Sequence, residues 1–172
     1  MIYVCIPSRN EAATLGPLLW KVQKVFRAFG REFRLVVLDD GWDDETAEVL
    51  GRYEGKLPLE VLRNADPAGY GASVDRLLRH VAEVSSYPKR DAAVVLQADL
   101  TEDPEEIVEL VKRLEGGADV VAGSVEPSPI EAPPPLRWGR RLAPWVLGST
   151  YRQAPAADPL SGLRAYRVIV LR

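Results

Sequence analysis

Three short acidic or amide-bearing turns each follow an apolar run: Asn10-Glu11 after Ile2–Ile6, Asp39-Asp40 after Phe33–Leu38, and Gln97-Ala98-Asp99 after Ala93–Leu96. Apolar runs of this length read as strands buried on both faces of a parallel sheet. In such sheets the carboxyl ends of the strands share one edge, and ligands bind there. The spacing therefore predicts a crevice holding at least four carboxylates. Gathered like charges repel unless a cation or hydrogen-bond donors sit among them. A divalent metal carrying a nucleoside diphosphate answers that demand, because hard oxygen ligands suit Mg2+ or Mn2+. The second-strand carboxylates can instead take ribose hydroxyls or base N–H groups. For each turn singly, helix or turn capping is the competing reading, since Asp is a common turn residue. Asp43 and Asp44 are read as caps for the next helix.

The elements that would position these turns alternate regularly. Thr14–Phe29 has helical spacing and stops at Gly30, and a helix bearing Ala47, Val49, Leu50 and Tyr53 follows Asp43-Asp44. Leu59–Leu62 is a short strand, Asn64–Ser73 a loop containing Gly69 and Gly71, and Val74–Val84 a helix. Pro104–Leu114 is a helix with proline in its first turn, and Asp119–Ala122 is a fifth strand. This pattern predicts an α/β fold, a three-layer α/β/α sandwich with a mostly parallel central sheet. Ser128–Pro135 holds four prolines in eight residues, a loop signal. Leu136–Tyr151 mixes basic and aromatic residues around Pro144, and Leu163–Tyr166 reads as a short extended piece.

Bulk properties narrow the field. The 172 residues suit one domain, and 47% apolar with 27% charged residues are globular values. A net charge of −3, from 22 basic and 25 acidic residues, is no footprint for nucleic acid. The lone cysteine, Cys5, lies in the first apolar run and is expected in the core. No apolar run reaches membrane-spanning length and the N-terminus has no signal-peptide pattern, so a cytoplasmic location is expected.

Taken together, Ile6-Pro7-Ser8-Arg9-Asn10-Glu11, Val37-Leu38-Asp39-Asp40-Gly41-Trp42-Asp43-Asp44-Glu45-Thr46 and Leu96-Gln97-Ala98-Asp99-Leu100 resemble the family 2 glycosyltransferases of GT-A fold. Their pattern is Pro-x-x-Asn-Glu after a strand, then Val-Asp-Asp-Gly-Ser-x-Asp-x-Thr, then Asp-x-Asp. Asp119–Ser124 and Asp158-Pro159-Leu160-Ser161-Gly162-Leu163-Arg164 resemble later elements of the polyprenyl-phosphate mannosyl- and glucosyltransferase branch. The resemblance covers nearly the whole chain, in order. It implies one GT-A domain over 1–172, with 1–125 binding the nucleotide sugar and 126–172 as an abbreviated or truncated acceptor side.

The resemblance also implies roles. Pro7, Arg9, Glu11, Leu38, Asp39, Asp40, Gln97 and Ala98 would line the nucleotide, with Asp40 on its base or ribose. Asp99 would hold Mg2+ or Mn2+ with Thr101, the metal acting as Lewis acid and template for the leaving diphosphate. Arg164 with Asp99 would serve the transfer, and Arg140, Arg141 and Ser161 would meet an acceptor phosphate. A polyprenyl-phosphate acceptor would bring the protein to a membrane surface, where Trp138, Trp145 and the neighbouring arginines suit the boundary. Gln97 departs from the motif's first acid, Thr101 from the branch's metal-binding Gln, and Val125 from its Gly-Ser-Arg. These departures keep a non-catalytic binding module open as the alternative.

Three further readings carry less. Gly69-Tyr70-Gly71 lacks the third glycine of a dinucleotide fingerprint, where Val74 stands. A nucleotidyltransferase would want a glycine-rich, basic loop after the first strand. His80 is expected to be solvated or capping, and Trp20 and Trp42 to pack.

Overall fold

A computed structural model describes residues 1–41, 45–123 and 161–172. Among these residues six strands form one sheet: β1 (Ile2–Ser8), β2 (Phe33–Asp39), β3 (Leu59–Arg63), β4 (Ala92–Val95), β5 (Val120–Ala122) and β6 (Arg164–Arg167). Their order is β3-β2-β1-β4-β6-β5. β3, β2, β1 and β4 run parallel, as the alternation predicts. The described helices α1 (Ala12–Phe29), α2 (Thr46–Gly51), α3 (Tyr70–Val84) and α4 (Glu106–Glu115) connect β1 through β5 in turn.

Strand alternation splits the core into two layers. Ile2, Val4, Ile6, Leu35, Val37, Val94 and Leu96 face α1 and α4, meeting Leu18, Val22, Ile107 and Val111. Tyr3, Cys5, Val36, Leu38, Ala93 and Val95 face the other way, toward Leu77 and Val81 of α3 and Val168. Both faces are dry, which is why these strands read as unbroken apolar runs. Cys5 is in the core as expected, and burial pushes its thiol up to about 12.

Four expectations need adjustment. β6 runs antiparallel between β4 and β5, an insertion that the Leu163–Tyr166 reading did not locate. α3 begins at Tyr70, four residues before the predicted start, because the Asn64–Gly69 loop is fastened just ahead of it. Trp20 does not pack: it is 57% exposed on α1, with the Lys24 ammonium over its ring. His80 is half-buried rather than solvated or capping, with Nε2 2.7 Å from Glu60 Oε1, an ion-pair distance off the line of a hydrogen bond. Trp42, Asp43, Asp44, Trp138 and Trp145 lie outside the described residues.

Candidate functional site

The parallel strands deliver their ends to one edge. Register pairs Ser8 with Asp39 and Cys5 with Val95, so the turns after β1, β2 and β4 are neighbours. The antiparallel β6 starts where β4 and β5 end: Arg164 stands opposite both Val95 and Ala122. The inserted strand thus carries an arginine to the edge where the carboxylates collect.

On the β1–β2 side the groups are enclosed. Pro7, Leu38 and Asp39 are buried, and Asp39 Oδ1 accepts the Gly41 N–H at 3.2 Å while Oδ2 lies 3.8 Å from Arg63 Nε. Gly41 packs on the neighbouring turn, where an added Cβ would stand 3.1 Å from Asn10 Oδ1 and 3.3 Å from Arg9 Cγ. Arg9 is exposed, and Glu11 is half-buried, accepting the Thr14 hydroxyl at 2.6 Å. Asp40, 4% exposed, accepts the N–H groups of Ala68 at 2.8 Å and Gly69 at 2.7 Å, and the Asn64 amide. Burial alone would raise its pKa, but these hydrogen bonds to the charged form win and hold the carboxyl below its ordinary value. Asp40 therefore fastens the loop ahead of α3.

On the β4–β6 side the groups are open. Asp99 is exposed, and its Oδ1 accepts the Thr101 N–H at 3.0 Å and the Thr101 hydroxyl at 2.7 Å. Between them Leu100 is held at φ 63°, and Asn10 of the first turn at φ 57°. A left-handed leucine is uncommon, and such conformations concentrate at ligand sites. Gln97, Ser161 and Arg164 line one cleft of about 290 Å³ with Tyr70 and Tyr166. Arg164 Nε donates to the Ser161 carbonyl at 3.0 Å. Ala98 is buried beneath the turn.

The structure also brings Tyr70 and Tyr166 into this cleft and Glu102 against Gln97, three residues the sequence alone did not single out. Tyr70 was read as loop, but it opens α3 and is half exposed over the cleft. Burial raises its phenol pKa, and the Glu102 carboxylate adds to the rise. Glu102 looked like an ordinary acid ahead of a helix, yet it is half-buried, and burial raises its pKa against the opposing Gln97 N–H. The available signal was its place three residues after Asp99. Arg140 and Arg141 lie outside the described residues.

Glu11, Asp39, Asp40 and Asp99 all stand at this edge, but spread along it. Among the described residues, no three Asp, Glu, His or Cys side chains converge closely enough to hold a metal ion. A divalent ion nevertheless fits the β4 turn in another way. The Asp99 carboxylate, Thr101 hydroxyl and Gln97 amide are hard oxygen donors, and Mg2+-type sites often use one or two carboxylates completed by substrate phosphates.

A mostly parallel sheet with an antiparallel strand inserted beside β4, and an acidic turn at the shared edge, defines the GT-A architecture. The chain belongs to the glycosyl transferase family 2, whose sequence profile matches residues 3–168. It is 35% identical over 130 residues to the undecaprenyl-phosphate 4-deoxy-4-formamido-L-arabinose transferase of Pseudomonas paraeruginosa, covering 73% of this chain and 35% of that protein. It is 31% identical over 123 residues to the dolichol-phosphate mannosyltransferase of Pyrococcus furiosus, covering 72% and 32%. The matched part spans about a third of the length of these two relatives. In structure it is similar to glucosyl-3-phosphoglycerate synthase from Mycobacterium tuberculosis in complex with Mn2+, UDP-glucose and phosphoglyceric acid. That likeness has a TM-score of 0.71 at 21% identity, over 99% of this chain and 57% of that one. Mannosyl-3-phosphoglycerate synthase from Rubrobacter xylanophilus gives 0.73 at 18% identity, over 99% and 54%. Among the described residues no helix is long and apolar enough to cross a membrane.

Proposed function

We propose that the protein transfers a sugar from a UDP- or GDP-sugar to a polyprenyl phosphate, with inversion at the anomeric carbon and a divalent metal. One observation carries this most directly: a cleft lined by Gln97 and Arg164, beside Asp99 and Thr101, on the shared strand edge. The relatives named for undecaprenyl- and dolichol-phosphate support the acceptor, and the neighbour bound to Mn2+ and UDP-glucose supports the donor and the metal.

Asp99, Thr101 and the Gln97 carbonyl would hold the ion, which when bound neutralises charge on the leaving diphosphate. Asp39, Arg9 and Glu11, at the neighbouring turns, would face the nucleoside, with Asp40 shaping that wall from behind. An oxygen of the acceptor phosphate attacks the anomeric carbon as the bond to the diphosphate breaks, and the electron pair leaves with the nucleoside diphosphate. The nucleophile is already an anion, so the site needs positioning cations rather than a strong base. Arg164 supplies one from β6. Tyr70 and Tyr166 give the cleft aromatic surface that suits a sugar ring or the first apolar units of a lipid.

Gln97 in place of the motif's first acid favours a second reading: a module that binds a nucleotide sugar without transferring it. Incubating the protein with radiolabelled UDP- and GDP-hexoses, Mn2+ and undecaprenyl phosphate separates the two. Label entering the organic phase supports transfer; nucleotide binding without any labelled lipid supports the module.

A further inference from the structure

Glu102 lies half-buried beneath the Ser161–Leu163 turn. Its Oε2 accepts the backbone N–H of Gln97 at 2.9 Å. Its Oε1 stands 3.5 Å from the Gln97 side-chain nitrogen. A carboxylate offers only acceptors, so the Gln97 amide presents its NH2 to Glu102 and turns its carbonyl oxygen away. Gly162 closes over this pair: a Cβ there would overlap both Gln97 Nε2 and Glu102 Oε1. An acid at position 97 would instead lie against Glu102, two like charges in a partly desolvated place.

We propose that Glu102 is the positioning residue of the metal-binding turn. It fixes the orientation of the Gln97 amide so that a carbonyl oxygen stands where the family motif carries its first carboxylate, with Gly162 leaving the room this requires. Gln97 and Glu102 are thus a matched pair, and the departure at position 97 is compensated within the same turn. Because Gly162, just ahead of β6, packs directly on both side chains, the pair also sets how the metal-binding turn meets the start of β6 and so Arg164. The inference rests on the edge being a donor site.

The test combines calorimetric titration of Mn2+ with UDP or GDP and hydrogen exchange of the ligand-free protein over residues 95–103 and 161–166. Gln97→Asp alone is expected to weaken metal-dependent nucleotide binding about tenfold, the usual scale for losing a group that orients a metal ligand. Adding Glu102→Gln to it should restore affinity to within about threefold of the native protein, a non-additivity expected only of coupled neighbours. Glu102→Gln alone should speed exchange in both segments and weaken metal-dependent binding, leaving metal-free binding unchanged. Gly162→Ala, which keeps both side chains, should reproduce that loss. Full affinity of Gln97→Asp, or a double variant no better than the single one, overturns the proposal. If the native protein binds no nucleotide, the donor-site reading falls and takes the metal role with it. The exchange data then decide separately whether Glu102 joins the two segments.

Discussion

Asp40 and Asp99 are the same chemical group at the same sheet edge, and the molecule uses them in opposite ways. Asp40 is enclosed and accepts two backbone N–H groups and an amide, so its charge is satisfied by the protein. Asp99 is exposed, bonded within its own turn to Thr101, and sits beside a left-handed Leu100. A strand-end carboxylate is therefore no ligand by position alone. What separates the two is enclosure: Asp40 is buried with donors on both oxygens, whereas the exposed Asp99 takes its Thr101 donors on Oδ1, which under the proposed function leaves it to meet an arriving metal.

Substitutions can break that contrast. The largest effect is expected at Asp99→Ala, which should lower Mn2+-dependent nucleotide affinity by at least about a hundredfold, the upper range for losing a group in a metal site. Its melting temperature should stay close to native, because no long-range contact is lost; calorimetry and a thermal melt together check this. Arg164→Ala should slow transfer by about a hundredfold, the scale for removing one preorganised charge at the reacting group, while nucleotide affinity holds. Steady-state kinetics against the lipid phosphate would show it in kcat. Asp40→Asn should act mainly on stability, costing about 2 kcal/mol through the lost charge-assisted bonds. That corresponds to a melting temperature about 4–8 °C lower for a chain of this size.

Acid sharpens the same contrast with a smaller effect. The folded-state pKa of Asp40 is depressed, so its contribution is present above the unfolded value, near ~3.9, and is lost as pH falls through the lower folded value. The native protein should lose stability over that range more steeply than Asp40→Asn, as urea midpoints at successive pH values would show. Smallest of all, the buried Cys5 thiol should resist alkylation in the folded protein and react after unfolding.

Much of this edge was legible in the sequence. Val4–Ile6, Leu35–Leu38 and Ala93–Leu96 are apolar on both faces because helices cover both, so their order and their acidic ends could be read directly. β6 was not legible as a sheet partner. Arg164-Ala165-Tyr166-Arg167 has no apolar run, and its neighbours in the sheet are some seventy and forty residues away in sequence. Tyr70 was hidden by glycines that signal a loop, whereas the loop is fixed from outside by Asp40. Glu102 was hidden by its neighbours: an acid ahead of Pro104 looks like helix-start chemistry until the 161–163 turn closes over it. Trp20 failed for the opposite reason, since a tryptophan at helical spacing suggests core and this one is on the solvent side.

On the proposed function, the open carboxylate of the β4 turn binds a nucleotide through a metal. Calorimetric titration of the native protein with UDP and with GDP, each with and without Mn2+, decides this. Binding of one nucleotide that requires Mn2+ is the predicted result. A folded protein that binds neither, or that binds equally well without metal, contradicts it.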